Sequence, residues 1–418
     1  MKIAIMNGRL VDAKQSLNQQ ASLYIDNDKI VGIADAPSGF VADKSIDATG
    51  LIVCAGFIEL NAQLPDIQAE TQAAAAAGFT GLCLPPNTKP IIDTTASIEL
   101  IKDKAEHANY PFIYPIAALT QALAGKELTS MQALKQANCI AVSHAQAPLQ
   151  DVLVLRRAME YAATQNLLLI YCPQDGVLSV QGCAHDGAMA TRYGLPSIPV
   201  AAETIALTQC IELVAETGCR VHIHALSCAR SVSLIANAKQ EGLPISADVA
   251  MHQLHLSDAD MIPYDSAYHV LPPLRSPDDK AALLNAVKAN MIDCICSDHQ
   301  PHDIDAKLGA FPETAAGISS LETSLPLLLV LVNQGHLTLD AALAKLNNMP
   351  ADILGLGKET GCLAVGYRAD ICIFNPDLAW QVNDTTWRSQ GKNTPYWQQT
   401  LQGKVVYTLQ AGHLIYQP

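Results

Sequence analysis

Eight short runs of aliphatic and β-branched residues alternate with alanine- and leucine-rich stretches between residues 51 and 297. The stretches between them, for example 152–164 and 204–217, have helical periodicity. Strands that alternate with helices form parallel β/α units, and eight units favour a closed barrel. An open doubly wound sheet is the competing fold, but no Gly-x-Gly-x-x-Gly motif follows an early run. The eight runs are 51–58, 80–84, 112–116, 139–143, 167–171, 220–224, 245–250 and 293–297.

Both ends of the chain alternate apolar and polar side chains, which is typical of half-buried strands. Asn27 and Asp28 suit the turn of a hairpin between two of these strands. We therefore predict a (β/α)₈ TIM-type barrel over residues 55–356 and a small β-sandwich domain built from residues 1–54 and 357–418. The predicted terminal strands are 2–7, 21–25, 30–33, 370–374, 404–409 and 413–416.

Charge and composition exclude several classes of function. The net charge of −14 comes without a basic patch, which argues against nucleic acid as a partner. The longest aliphatic stretch, 325–332, is too short to span a membrane, and Asn7 and Gly8 interrupt any signal-peptide core. None of the twelve cysteines forms a Cys-x-x-Cys pair. We expect a cytoplasmic protein with reduced thiols.

A series of motifs resembles the dihydroorotases and follows that family's order from about residue 50 to the C-terminus. The resemblance implies an amidohydrolase-superfamily barrel and a place in pyrimidine biosynthesis. The family interconverts carbamoyl aspartate and dihydroorotate, using zinc to polarise the amide and activate water. The motifs are Ala-Gly-Phe-Ile-Glu-Leu at 55–60, Ala-Ala-Ala-Gly-Phe-Thr at 75–80, Pro-Asn-Thr-Lys-Pro at 86–90, Leu-Pro-Pro-Leu-Arg at 271–275, Ser-Asp-His-Gln-Pro-His at 297–302, Gly-Ile-Ser-Ser-Leu-Glu-Thr at 317–323, Pro-Ala-Asp-Ile-Leu-Gly-Leu at 350–356 and Gly-Lys-Asn-Thr-Pro at 391–395.

The positions that carry zinc ligands in this family hold other residues here. The His-x-His pair after the first strand is replaced by Asn61 and Gln63, and amides are poor zinc ligands beside imidazole. The fifth strand ends at Tyr171 instead of His-x-Glu-Asp, and Ala225 replaces the histidine of the sixth. The fourth strand ends in Ser-His-Ala-Gln at 143–146, without a bridging carboxylate. The resemblance therefore predicts that zinc is lost and that no cofactor is bound.

A few family positions are retained. Asp298 matches the proton-shuttling aspartate, and His302 follows it; we expect both to persist as a hydrogen-bonded scaffold at the barrel mouth. Asn87 matches the substrate-binding asparagine of the family, but it also suits a turn after a strand. Arg275 is expected to anchor a loop. Residues 303–307 fall where the family has a loop beside its active site, while Tyr171 and Met251 are expected to fill space that the metal cluster vacates.

Three histidines offer an alternative set of ligands. His222 and His224 lie out of phase with Ala225, so alternation along a strand turns them to the opposite side. A packing or surface role is favoured for both of them over a displaced ligand. His144 lies where a bridging carboxylate would be, without partner imidazoles in register. The sequence therefore does not exclude a metal site formed by residues outside the family pattern.

Three functions remain compatible with the sequence. The favoured one is a non-catalytic dihydroorotase-like subunit, because the barrel motifs persist while the ligand positions do not. Inactive chains of this kind accompany aspartate carbamoyltransferase, so the resemblance implies a hetero-oligomer with that enzyme's catalytic chain, needed for its assembly or stability. The alternatives are an active zinc-dependent cyclic amidohydrolase with rearranged ligands and a small-molecule sensor that uses the remnant pocket.

Overall fold

Short strands at the start of the chain form half of a terminal sheet. The computed structural model describes residues 1–106 and 111–417. Asn27 has a positive φ of 52° at the predicted hairpin turn between the second and third strands, which the adjoining antiparallel ladder confirms. The N-terminal strands are β1 (Lys2–Asp12), β2 (Leu17–Asp26), β3 (Lys29–Ile33), β4 (Lys44–Asp47) and β5 (Ile52–Ala55).

A parallel eight-stranded sheet follows and curls into a barrel, which confirms the predicted fold class. Each strand pairs in parallel with the next along the sheet. Two very short strands, β11 (Ala184–His185) and β12 (Ser197–Ile198), pair only with each other. The barrel strands are β6 (Phe57–Glu59), β7 (Phe79–Leu84), β8 (Phe112–Ala118), β9 (Ala141–Ser143), β10 (Leu168–Tyr171), β13 (Val221–Ile223), β14 (Ile245–Ala250) and β15 (Cys294–Cys296).

The first and last barrel strands are joined by single contacts rather than by a ladder. Beyond the strand ends, Ala62 and His299 form a parallel bridge, and the backbone N–H of Gln63 donates to the carbonyl of His299 at 2.9 Å. At the other end, Ile58 and Ile295 donate to the carbonyls of residues 346 and 345. The barrel is therefore closed around an apolar interior that includes Ile58.

Helices cover the outside of the barrel, and their ends follow local sequence signals. Asp66 caps α1 by accepting from the backbone N–H groups of Gln68 and Ala69, and Ser276 caps α9 ahead of a proline. No helix among the described residues is long and apolar enough to cross a membrane. The helices are α1 (Ile67–Ala76), α2 (Thr95–Glu106), α3 (Met131–Gln136), α4 (Val152–Thr164), α5 (Ala188–Tyr193), α6 (Val200–Thr217), α7 (Ala229–Gln240), α8 (Met251–His255), α9 (Pro277–Lys288), α10 (Leu321–Asn333), α11 (Leu339–Ala344) and α12 (Asn348–Ile353).

The two chain ends meet in one mixed sheet. Its C-terminal strands are β16 (Ile371–Gln381), β17 (Thr400–Gln410) and β18 (His413–Tyr416). The strand order is β18-β17-β16-β5-β1-β2-β3, with β4 beside β1. Side chains from both ends, such as Ile5, Val53 and Ile371, pack into a core separate from the barrel's. This sheet confirms that a small β-domain is built from both termini.

The prediction of a single first barrel strand over residues 51–58 is wrong. The run is two strands: β5 pairs with β1 and β16 in the terminal sheet, and only β6 enters the barrel. Gly56 separates them at a point where a Cβ would lie 2.3 Å from the side chain of Thr80. The sequence shows one apolar run because both strands are buried on both faces.

Candidate functional site at the barrel mouth

The carboxyl ends of the barrel strands bring the predicted site residues to one mouth. Asn61 lies two residues beyond β6, Tyr171 ends β10, Ala225 lies two residues beyond β13, and Asp298 lies two residues beyond β15. These four side chains are all buried, with exposures of 1–8%. Asn61 and Asp298 therefore meet at the mouth. The prediction that Tyr171 fills space there is wrong, because its side chain packs in the core between the barrel and its helices, and its neighbours Ile170 and Cys172 line the mouth cavity instead.

Asp298 is held by neutral amides and one imidazole. The side-chain amide of Asn61 donates to its carboxylate at 2.9 Å, and that of Gln300 donates at 3.0 Å. Nε2 of His224 lies 3.5 Å from the same oxygen. In this arrangement Asn61 contacts the retained aspartate directly, so one replaced ligand position now serves as a hydrogen-bond donor.

Asp248, on β14, is the centre of a buried network that sequence analysis missed. Its carboxylate accepts from His222 Nε2 at 3.0 Å, from His224 Nδ1 at 2.9 Å and from the backbone N–H of Ala225 at 2.6 Å. The thiol of Cys296 donates at 3.4 Å. Asp248 is fully buried, and four donors match the roughly four lone-pair sites of a carboxylate. A charged residue inside the apolar run 245–250 was the signal that could have revealed it.

Electrostatics in this network favour a positively charged imidazole. Burial by itself lowers the pKa of His224, but the carboxylates of Asp248 and Asp298 outweigh burial and raise that pKa well above its usual value. Burial likewise opposes ionisation of both aspartates, and the neighbouring imidazoles nevertheless hold their pKa values below the usual range. Protonated His224 thus places a positive charge between two carboxylates, where a metal ion would place one in a zinc enzyme.

His222 and His224 lie inside the barrel rather than at its surface. Strand alternation does not decide the position of His224, because β13 ends at Ile223 and His224 lies beyond it. His224 lines a cavity at the mouth together with Asn61 and Gln63. His144 is also buried, and its Nδ1 has no partner among the described residues, but it does not join this network.

Three non-glycine residues that lie two positions beyond the ends of barrel strands have left-handed backbone conformations. Asp298 has φ 49°, Ala225 has φ 58° and Ala145 has φ 54°. Such conformations cost about 1–3 kcal/mol each and cluster at functional sites. The two alanines have no polar side chain that could stabilise the conformation locally. These three residues place the strained backbone at the carboxyl ends of β9, β13 and β15.

Little space remains at the mouth. The cavity bordered by Asn61, Gln63, Asn87 and His224 has a volume of about 10 Å³, which suffices for about one water molecule. The amide of Gln146 donates to the carbonyl of Leu271 at 3.2 Å and joins two of the loops that cover the strand ends. A substrate the size of carbamoyl aspartate does not fit this cavity.

A larger groove of about 790 Å³ opens beside the mouth. Asn87 and Gln63 border both the groove and the small cavity, and His302 lies on the far wall of the groove. Asn87 is exposed, and no hydrogen bond of its side chain occurs within residues 1–106 and 111–417. The remnant substrate-binding position therefore faces open space rather than a closed active site.

His302 and Arg275 have structural contacts. His302 donates from Nε2 to the carbonyl of Ala316 at 2.8 Å and from its backbone to Asn393 at 2.9 Å. Arg275 donates to the hydroxyl of Ser227 at 2.9 Å and to the carbonyl of Ile198 at 2.8 Å. Met251 is buried at the start of α8. These contacts fix loops of the mouth to one another.

Glu59 is a second buried carboxylate that the sequence reading did not single out. It accepts the backbone N–H groups of Asn61 at 3.0 Å and Ser297 at 2.8 Å. Burial raises the pKa of Glu59 to about 7 in spite of these donors. It therefore ties the first and last barrel strands together just below the mouth.

The side chains at the family's ligand positions do not fit the zinc centre of the dihydroorotases that the sequence resembles. Two amides, a tyrosine and an alanine occupy its histidine positions, and these supply neither imidazole nor thiolate. Two other groups have ligand atoms within 4.8 Å of one another and could hold a metal ion: His222 with Asp248 and Cys294, and His224 with Asp248 and Cys296. In both groups hydrogen bonds already satisfy the carboxylate of Asp248, whereas the buried Nε2 of His224 has no hydrogen-bond partner among the described residues.

The barrel and the terminal sheet define a (β/α)₈ protein with a small β-domain. An L-hydantoinase (dihydropyrimidinase) from Arthrobacter aurescens has the same fold, with a TM-score of 0.89 at 22% identity over 99% of this chain and 96% of that one. A family model described as dihydro-orotase-like matches residues 50–231. A dihydroorotase-like protein from Pseudomonas aeruginosa is 41% identical, and a dihydroorotase from Syntrophus aciditrophicus is 36% identical, each over the whole of both chains. The chain belongs to the dihydroorotase-like family.

Proposed function

We propose that this chain is a non-catalytic dihydroorotase-like subunit of pyrimidine biosynthesis, needed for the assembly or stability of aspartate carbamoyltransferase. The observation that carries the proposal is the barrel mouth. Its ligand positions hold Asn61, Gln63, Tyr171 and Ala225, and its cavity has room for about one water molecule. Zinc hydrolysis needs a metal-bound water and space for a cyclic amide beside it.

The names of the relatives agree in part with the proposal of a non-catalytic subunit. Two Pseudomonas proteins at 41% and 42% identity are called dihydroorotase-like, whereas relatives at 34–36% are called dihydroorotase. The proposed role needs no catalytic group, because a protein that binds only the folded partner stabilises it by mass action.

The catalytic part of the proposal is tested by zinc content and turnover. We expect the purified chain to carry less than about a tenth of an equivalent of zinc and to interconvert carbamoyl aspartate and dihydroorotate no faster than buffer, because Asn61, Gln63 and Ala225 stand where the family has histidine ligands. Elemental analysis and a dihydroorotate assay measure both quantities. An active dihydroorotase purified in the same way is the positive control. One zinc per chain together with turnover would overturn the proposal.

A second candidate is an active zinc-dependent dihydroorotase or other cyclic amidohydrolase with rearranged ligands. The observation that favours it is the cluster of His224, Asp248 and Cys296, which presents nitrogen, oxygen and sulfur within 4.8 Å. Those three types of ligand suit zinc. The zinc assay separates the two candidates, and Cys296→Ser would abolish metal binding only if this cluster were the site.

Association with the carbamoyltransferase is tested by co-expression. We expect this chain and the carbamoyltransferase to elute together. When this chain is left out, the transcarbamoylase activity or the size of the assembly should fall, because binding of this chain stabilises the folded carbamoyltransferase. Asp298→Asn should leave that activity unchanged, since the proposed role does not use the remnant carboxylate. Size-exclusion chromatography and a transcarbamoylase assay give the answer. Separate elution, with a carbamoyltransferase that is fully active alone, would refute the partner and favour the sensor role.

A further inference from the structure

We infer that two loops at the barrel mouth form a docking surface for a protein partner whose surface has apolar sockets bordered by arginine or lysine. The loops are residues 261–269, which follow α8, and residues 303–308, which follow β15; together they are called the acidic face below. The inference rests on the proposed function and names the surface that this function would use.

Four large apolar side chains extend into solvent from the acidic face. Ile304 is 77% exposed, Leu308 is 65% exposed, Tyr264 is 58% exposed and Ile262 is 55% exposed. Single exposed apolar side chains are ordinary on soluble proteins, but a contiguous group marks an interaction site. Isoleucine, leucine and tyrosine of this kind supply the buried centre of protein interfaces.

Lys307 holds the two loops together, so their exposed side chains are neighbours. Its ammonium donates to the carbonyls of Ser266 at 3.1 Å and Ala315 at 2.6 Å, and the hydroxyl of Ser266 donates to the carbonyl of Lys307 at 2.8 Å. Burial lowers the pKa of Lys307 to about 8. A lysine anchored in this way fixes the shape of the face before any partner arrives, which reduces the entropy lost on binding.

The charge around these apolar side chains is negative. Asp303 and Asp305 are exposed and Asp265 is half-buried, and within the described ranges none of the three forms an ion pair. Lys307 is the only lysine or arginine in either loop, and its ammonium is directed at carbonyls. Asp265 interacts electrostatically with the ammonium of Lys307, so the exposed carboxylates that the face offers to a partner are those of Asp303 and Asp305.

The negative charge of the acidic face favours some binding partners over others. An isologous dimer through the acidic face would bring the same carboxylates against each other, and like charges across an interface are unfavourable. Nucleic acids and anionic membranes are repelled for the same reason. A protein with apolar sockets and a basic border satisfies both the apolar centre and the carboxylates.

Residues 303–307 also fall where the resembling family has a loop beside its active site. In this chain the loop is tied down by Lys307, and the mouth beside it has room for about one water molecule. A fixed loop over a closed mouth has no substrate to cover. Its exposed isoleucine and leucine are explained by docking instead.

The test compares two double variants with matched controls in the full-length chain. Ile304→Ser with Leu308→Ser removes the apolar centre and is expected to weaken the Kd for the carbamoyltransferase at least about tenfold, as truncation of interface anchors does. Asp303→Lys with Asp305→Lys is expected to slow association about tenfold at low salt, with a smaller effect at high salt. Val41→Ser with Val365→Ser, and Asp28→Lys with Asp35→Lys, change equally exposed positions near the terminal sheet and should bind normally.

The outcomes separate this inference from the proposed function. If the unaltered chain does not bind the carbamoyltransferase, the proposed function fails and the docking surface fails with it. If the unaltered chain binds and both loop variants bind equally well, only the docking surface is refuted. A homodimer that the Ile304→Ser and Leu308→Ser changes convert to a monomer would also refute it. Thermal unfolding of each variant near the wild-type temperature establishes that the loops, and not the fold, were altered.

Discussion

Ending the chain after Leu356 is expected to give insoluble protein. The cut removes β16, β17 and β18, so β5 loses its antiparallel partner and the terminal core is opened. Each buried aliphatic side chain contributes about 1.5–3 kcal/mol, which makes the loss comparable with a total stability of about 5–15 kcal/mol. Expression of residues 1–356 followed by separation of soluble and pelleted protein measures the effect. The apolar side chains lost from that core are Leu363, Ala369, Ile371, Ile373 and Leu409.

The barrel itself also depends on the removed segment. Asn393 donates to the carbonyls of Gln300 and Gly317 at 2.9 Å, and Thr408 donates to the carbonyl of Ala75 at 2.7 Å. A chain that lacks only the last two residues leaves β18 complete and should be soluble. Soluble, cooperatively unfolding residues 1–356 would show that the barrel is independent of the terminal sheet.

Replacing Asp248 by alanine is expected to lower the free energy of unfolding by about 3–5 kcal/mol. Removal of one partner from a buried charged network leaves the others unpaired in a low-dielectric interior. His222 and His224 would both lose their acceptor, and the backbone N–H of Ala225 would lose its own. Urea unfolding at pH 7, followed by circular dichroism, measures the change.

Asp35→Ala is the matched control, because Asp35 is an exposed carboxylate; its effect should lie within about 0.5 kcal/mol. EDTA should leave the wild-type midpoint unchanged, since hydrogen bonds already satisfy Asp248. An Asp248→Ala loss below about 1 kcal/mol would mean that the network is dispensable. A midpoint that EDTA lowers would instead indicate that an ion holds the cluster.

Much of the fold could be read from the sequence because its signals are local. The spacing of apolar residues along the chain predicted the positions of all eight barrel strands, and helix α4 was predicted with the observed bounds. Other predicted ends differ from the observed ones by a few residues, as for 204–217 against α6 (Val200–Thr217). The run 51–58 differs in kind, because two strands follow each other there without a polar break. Local periodicity cannot separate consecutive strands that are both fully buried, and the sheet to which each belongs is set by distant partners such as β16.

The residues that differ from the family's motifs were visible in the sequence, whereas the contacts that they make were not. Asn61 and Ala225 stand at ligand positions in any alignment of motifs, because residue identity is sequence information. That Asn61 donates to Asp298, or that His224 bridges two aspartates, depends on strands far apart in the chain meeting at one mouth. Alternation along a single strand could not place His224, since the strand ends before it.

The sequence by itself thus determined the barrel and the terminal β-domain, because both are encoded in the periodicity of apolar residues. It also carries the residues on which the predicted loss of zinc rests. Only the tertiary structure decided that the mouth is nearly closed, that Asp248 organises its interior, and that Lys307 joins the loop 303–308 to Ser266. Those features arise from contacts between segments widely separated in the chain. Their energies depend on burial and geometry, which local sequence patterns do not specify.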